Sequence, residues 1–327
     1  MPEIMQDFFP KLEAGPPATF RNLSLWPLFY EAIPAPVYLT LEAALEQWVL
    51  EITEISEEGV VPQIRFRNQS QTPVLLLAGE EVVGAKQNRI LNTSLLVPGE
   101  AEVKVPVSCV EQGRWSYKGR EFTSERRVSS PTLRGKVQGR VYQALRSGLG
   151  YMADQTEVWE EVRRKASRLR VDSPTLAMSD IYTSYEEELR EFCRHFPLVP
   201  EQKGFMAALQ GRPVGLEAFD SHNNLARYYA KLLKGYALDA VEALHSRQRG
   251  NGPRLKGPED FLQQLGSLPV SLRPSPGLGQ DLRAENEAVV GAGLLWQDAL
   301  VHFSLFPKEP EERSGRMMPP RRRARMI

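Results

Sequence analysis

From Leu23 to Gln112 the apolar residues come in short runs: LSLWPLFYE, PVYLTL, WVLEITEIS, VVPQIRFRNQS, PVLLLAGEE, ILNTSLLVPGE and AEVKVPVSCVEQ. Gly, Pro, Asn and Ser punctuate them, and the runs are rich in Val, Ile, Leu and Thr, which predicts an antiparallel sandwich or barrel in place of a helical domain. Ile64, Phe66 and Asn68 alternate with Arg65 and Arg67, the period of a strand with one wet face. Val97-Pro98-Gly99-Glu100 predicts a turn in which Pro98 sets φ and Gly99 takes a positive φ, before the alternation Val103, Val105, Val107.

Downstream the texture changes. Residues 116–150 are polar, basic and serine-rich, with Arg126, Arg127, Arg134, Lys136 and Arg140, and predict a loop that either links to the next helix or covers a site as a lid. Asp154-Gln155-Thr156-Glu157 has the form of a capping box, with Trp159, Val162, Ala166 and Leu169 at helical spacing behind it. A second helix is expected from near Ser179, with Tyr182, Tyr185, Leu189 and Phe192 on one stripe. FMAAL and PVGLEAF around Gln210-Gly211-Arg212 predict a hairpin, and Asp220-Ser221 supplies N-cap chemistry for a long helix. Residues 246–284 offer one short helix near Pro258 to Leu265. AVVGAGLLW and ALVHFSLF then predict a last hairpin. The order is α+β: a β-rich antiparallel sandwich or barrel-like half over 20–115, the polar loop, and an α+β part over 151–306. These make one domain over 15–306, followed by a disordered basic tail over 307–327.

Charge and cysteine usage narrow the function classes. Lys plus Arg and Asp plus Glu are both 41, so no global field favours nucleic acid or an anionic membrane. Two cysteines, Cys109 and Cys193, are too few for a disulfide framework and fit a reduced, cytoplasmic protein. No run approaches the ~18 apolar residues of a transmembrane helix, and the acidic, proline-broken opening does not read as a signal peptide.

The chemistry-bearing residues concentrate in GEEVVGAKQNRILNTSLLVPGEAEVKVPVSCVEQGRW, from Gly79 to Trp115. Glu80 and Glu81 follow an apolar run, where alternation points one carboxylate inward as a general base; the other reading is a turn with solvated carboxylates. Lys86, Gln87, Asn88 and Arg89 place two cations and two amides together, as directed donors for a carboxylate or phosphate or as a polar turn closed by Asn88. Cys109 sits in a strand-like run with no histidine near it in sequence, as a buried small hydrophobe usually does. Glu111, Gln112, Arg114 and Trp115 set a carboxylate, a cation and an aromatic face beside Gly113, a combination suited to binding. Glu217, Asp220 and His222 have ligand-like types, but Asp220 or Ser221 is also the natural helix cap, so no metal site is assigned. The phosphate loop, the serine elbow and His-Glu-x-x-His are not in the sequence.

This joint string closely resembles the core signature of the ARG and Rhodanese-Phosphatase-superfamily-associated protein domain family, where ARG stands for ADP-ribosylglycohydrolase. The run GRPVGLEAFDSHNNLARYYAKLLKGYALDAVEAL is similar to the family's second half. The resemblance implies a link to ADP-ribose or NAD-derived chemistry, a small anionic or nucleotide-like ligand, and protein partners in that pathway. It assigns no reaction, cofactor or catalytic residue. Two readings follow: a pocket in which Lys86, Gln87, Asn88, Arg89, Gln112, Arg114 and Trp115 hold the ligand while Glu80, Glu81 or Glu111 supplies acid–base chemistry, or a non-catalytic interaction module in which these residues are structural.

Overall fold

The computed structural model of the chain describes residues 8–56, 62–117, 119, 121–246, 257–265 and 268–308. After a 3-10 turn at Phe9–Lys11, the first half carries β1 (Glu13–Ala14), β2 (Ala18–Phe20), β3 (Leu23–Phe29), β4 (Leu39–Thr40), the short helix α1 (Leu41–Glu46), β5 (Leu50–Glu54) and β6 (Gln63–Asn68). β7 (Val74–Leu76), β8 (Glu80–Gly84), β9 (Arg89–Leu91), β10 (Leu95–Val97), β11 (Ala101–Cys109) and β12 (Phe122–Val128) complete it. Helices α2 (Pro131–Arg146), α3 (Gln155–Leu169), α4 (Met178–Ser184) and α5 (Glu186–His195) follow, then the hairpin β13 (Gly204–Leu209) and β14 (Arg212–Phe219) and the long α6 (His222–His245). The chain finishes with α7 (Glu259–Leu262), β15 (Val270–Pro274), β16 (Gln280–Glu285), β17 (Val289–Trp296) and β18 (Ala299–Pro307). The fold is mixed α+β with antiparallel sheets, as the sequence predicts.

Strands β12-β8-β9-β11-β6-β5 form a six-stranded sheet that curls until its edges meet at an antiparallel bridge between Thr53 and Glu121. Alternation sends Ile52, Ile64, Phe66, Val82, Leu91, Val105, Val107 and Phe122 inside this barrel. One end is plugged by Leu41 and Ala44 of α1 and by Val74, Leu76, Leu95 and Val97 of a small β10-β7-β4 sheet. The other end, where β5, β8 and β11 finish and β6, β9 and β12 begin, is the mouth.

The second body is a large sheet ordered β1-β3-β13-β14-β18-β17-β16-β15. β3, from the β-rich half, therefore pairs with β13 of the C-terminal hairpin, and the last hairpin joins the same sheet through β14 and β18. One face packs on Phe8, Phe9 and α7, the other on the helices. The expected caps are in place: Asp154 accepts from the Thr156 and Glu157 amides, and Ser221 accepts from the Asn224 amide. Among the described residues no helix is long and apolar enough to cross a membrane.

Two expectations are corrected. Residues 116–150 are not a loop or a lid: they supply the barrel strand β12 and the core helix α2. The apolar stripe of α2 is only Leu133, Val137 and Val141, while Arg134 and Gln138 lie buried beside it and bond to Glu217 and Ser304 of the large sheet. A helix that buries polar groups on its inner face lacks the amphipathic period that identifies one in sequence. Within 246–284, β15 and β16 form where no strand is expected, because Ser271, Arg273, Asp281 and Arg283 occupy one of their faces. The expected disordered tail lies outside the described residues beyond Lys308.

The turn after β10 also differs in detail. The positive φ falls on Glu100 (53°), not on Gly99. Gly99 is required for another reason, since a Cβ there would stand 2.2 Å from the Gln71 carbonyl oxygen. Gly99→Ala is expected to destabilise the fold by about 1–3 kcal/mol through this backbone clash, read as a lower midpoint of denaturant unfolding at unchanged slope.

Candidate functional site

The inward register of the barrel is apolar until its mouth, where it turns polar. Leu50 and Ile52 point inward along β5, and the same parity places Glu54 there; Leu91 does so for Arg89, and Val105 and Val107 for Cys109. Cys109 and Arg89 are direct register partners, as are Val82 and Arg89. Arg89 is fully buried. Its Nη1 donates to Gln87 Oε1 at 3.1 Å, and its Nη2 lies 3.7 Å from Glu54 Oε1, an ion-pair contact too long for a hydrogen bond. Arg89 Nε and Nη2 and both Glu54 oxygens have no hydrogen-bond partner among the described residues.

Aromatic side chains stand over this pair. Trp115, 50% exposed, has the Arg89 guanidinium 5.9 Å from its ring and the Lys86 ammonium 5.3 Å from it. Lys86 also sits 5.1 Å from the Tyr117 ring, so two cations share an aromatic roof. Burial pushes the Cys109 thiol up to about 11, with Arg89 opposing and Glu54 reinforcing the shift. Burial thus favours the neutral thiol over the thiolate at this position. The mouth thus gathers Lys86, Gln87, Arg89, Cys109 and Trp115 of the signature, and adds Glu54. The sequence offers one sign of Glu54, a carboxylate on the inward beat of Leu50 and Ile52.

The other signature residues lie elsewhere. Arg114 donates to Glu111 through Nε (2.9 Å) and Nη2 (2.6 Å), and to the carbonyls of Ala85 (2.7 Å) and Ser116 (2.8 Å) through Nη1. Glu111 also accepts from the Asn88 amide and the Thr175 hydroxyl. Burial opposes its ionisation, but these donors outweigh burial and hold the carboxyl below its usual range. Asn88 Oδ1 accepts from Arg114 and its Nδ2 donates to Ser179. Glu111, Arg114 and Asn88 therefore form a latch that fixes the β8–β9 turn against the segment after β11. Gln112 accepts from Arg163 at the surface.

Glu80 is at the plugged end of the barrel, ion-paired with Lys231 of α6, which also binds Glu42 of α1; the Leu77 amide donates to its second oxygen at 2.7 Å. Burial works against the Lys231 ammonium, yet the two carboxylates push its pKa up. Glu81 points to the outer face of the barrel. It is completely buried, both oxygens lack hydrogen-bond partners among the described residues, and the nearest cation is Arg127 Nη1 at 3.8 Å. Burial raises its carboxyl to about 8, against the pull of Arg127.

Glu217, Asp220 and His222 do not converge. Asp220 holds the Ala35 amide and Asn224, and His222 Nδ1 bonds the Gln202 carbonyl. Among the described residues no group of His, Cys, Asp and Glu is placed to hold a metal ion. Glu217 instead joins Arg134, Tyr236 and His302, and His302 Nδ1 meets Ser94 Oγ at 3.1 Å. These residue types match a hydrolytic triad, but Ser94, His302 and Glu217 are all buried and the Ser94 oxygen already accepts the Ala78 amide. The network joins the barrel to the large sheet.

Glu81 yields a pH prediction. Its folded pKa of about 8 lies above its ordinary 4.5, so the folded state keeps a proton that the unfolded state releases, and stability falls as pH rises between these values. Glu81→Gln should therefore be more stable than the native chain by about 2–4 kcal/mol at pH 8.5, with the gap closing towards pH 4. Denaturant midpoints at pH 4, 6 and 8.5 check both size and trend.

No curated protein and no solved structure matches the chain. A family model matches residues 11–306, which include all three sheets but for the last residue of β18, helices α1 to α7, and the barrel-mouth residues Glu54, Lys86, Gln87, Arg89, Cys109 and Trp115. The chain belongs to the ARG and Rhodanese-Phosphatase-superfamily-associated Protein domain family.

Proposed function

We propose that the barrel mouth binds a small phosphorylated, ribose-type ligand of the ADP-ribose class. The observation that carries this reading is the unsatisfied pair beneath Trp115. Buried charged groups normally have their hydrogen-bonding capacity filled, and here Arg89 keeps two donor nitrogens and Glu54 two acceptor oxygens without hydrogen-bond partners among the described residues. A ligand that answers both needs acceptor oxygens for the guanidinium and hydroxyl donors for the carboxylate. A sugar phosphate has both, and the indole face offers a stacking surface for an attached base. Lys86 adds a second cation at the same opening. The family's name, with its ADP-ribosylglycohydrolase association, points to the same ligand class.

The rival reading, a protein-interaction module within an ADP-ribose-related pathway, draws on the Glu80–Lys231–Glu42 cluster and the Glu111–Arg114 latch, whose polar atoms are consumed internally. It accounts for those residues and leaves the mouth unexplained. Glu54, absent from the signature string, is the carboxylate that the mouth presents to a ligand.

A thermal-shift screen of the full chain against ADP-ribose, NAD, ribose 5-phosphate and nucleotides tests the proposal. A ligand at about 100 times its Kd adds roughly 2.7 kcal/mol of stability. Arg89→Lys keeps the charge but loses the fork and should remove the shift, while Trp115→Ala, at a half-exposed position, should weaken binding by about tenfold with its melting temperature close to native. No shift with any of these compounds, or a shift that survives both substitutions, would sink the reading.

A further inference from the structure

A second set of unsatisfied donors lies away from the barrel mouth, on the edge of the large sheet. The β15–β16 register pairs Ser271 with Arg283 and Arg273 with Asp281, so these four side chains share one face, while Leu272, Leu282 and Ala284 fill the apolar core on the other. Arg283 is completely buried. Its Nε and Nη2 clasp Asp281 at 2.8 Å each, and Nη2 also reaches Thr93 Oγ1 at 2.7 Å, which neutralises Asp281. Its Nη1 has no hydrogen-bond partner among the described residues, and neither has Arg273 Nε or Ser271 Oγ. Tyr151, whose hydroxyl donates to the Pro274 carbonyl, lays its ring 5.6 Å from the Arg283 guanidinium and borders the same face.

The geometry points to a phosphate-binding site formed by Arg283, Arg273 and Ser271. Desolvated donors without acceptors are costly, and three of them on one sheet face need one acceptor group. They come from three side chains and not from one guanidinium fork, which suits a tetrahedral oxyanion better than a planar carboxylate. With Asp281 cancelled by Arg283, Arg273 leaves the face with net positive charge. Ser271 and Arg273 are only part-buried and belong to β15, the terminal strand of the sheet, which makes that edge the side from which a ligand would approach. The ligand is inorganic phosphate or the phosphate of a phosphomonoester. The site is independent of the proposal for the mouth, because Arg283 meets the barrel through Thr93, beyond the far end of β9 from Arg89.

Isothermal titration of the full chain with inorganic phosphate and with phenyl phosphate, at matched ionic strength with acetate as control, tests this. Saturable binding of one phosphate is expected. Arg273→Ala, at a part-buried edge position, should weaken it about tenfold or more, the loss of one charge-assisted hydrogen bond, with a smaller loss in Ser271→Ala and no change in Arg89→Lys. Tighter binding of phenyl phosphate than of inorganic phosphate identifies a phosphomonoester as the source, and the reverse order identifies free phosphate. Absence of saturable heat with either compound, acetate binding as tightly, or a response lost in Arg89→Lys and kept in Arg273→Ala, overturns the assignment.

Discussion

Arg134 brings a full positive charge into the middle of this protein, where Glu217 neutralises it. The pair takes α2 onto β14, and its surroundings extend it: Arg134 Nε donates to the Ala78 carbonyl next to the barrel, Tyr236 of α6 donates to Glu217, and His302 of β18 bonds the other carboxylate oxygen. Burial opposes the ionisation of Glu217, but Arg134 and His302 hold its pKa below the usual range, so the carboxylate stays charged. Breaking such a pair by removing one member leaves an uncompensated charge and costs about 3–5 kcal/mol. Barrel, helices and large sheet therefore share a single electrostatic junction. Hydrophobic cores on both sides give stability, while this junction fixes how one sheet is set against the other.

The period of a β-strand divides the polar residues of the signature among different jobs. Along β8 and β9, Glu81 and Ile90 face outward, whereas Val82 and Arg89 face into the barrel. Adjacent residues in the sequence thus end on opposite sides of a sheet. Glu80 braces α6 and α1 through Lys231. The Glu111–Arg114–Asn88 latch fixes the turn that carries Lys86 and Gln87. Once these structural roles are subtracted, Arg89 and Glu54 remain with hydrogen-bonding groups unused among the described residues, below an exposed tryptophan. A rigid, latched turn is the kind of support that holds a binding group in place.

The local statements of the sequence hold because they rest on local physics. The Asp154 and Ser221 caps, the β13–β14 and β17–β18 hairpins and the alternation in β6 and β11 are contained within a few residues of chain, and each forms where those residues place it. The stretch over 116–150 misleads for a physical reason. α2 buries Arg134 and Gln138 next to Leu133 and Val137, and their partners, Glu217 and Ser304, lie 83 and 166 residues away. Nothing near them in the chain announces that these polar side chains will be satisfied inside. The same blindness hides β15 and β16, whose polar face reads as loop.

What the amino-acid sequence determined by itself is the elements with a clean local period, cap or turn, such as β6, β11, α3, the β13–β14 and β17–β18 hairpins and α6, together with the stretch in which the chemistry-bearing residues are concentrated. Periodicity, capping and turn residues act over distances of one to eight residues and can be read there. Tertiary structure alone decided that β3 would leave the β-rich half for the large sheet, that Glu54 would face Arg89 across the barrel mouth, and that Glu111 would be spent on Arg114. Strand partnership and charge pairing depend on closing the chain over long separations, and whether a buried charge is satisfied or left open is a property of the closed fold.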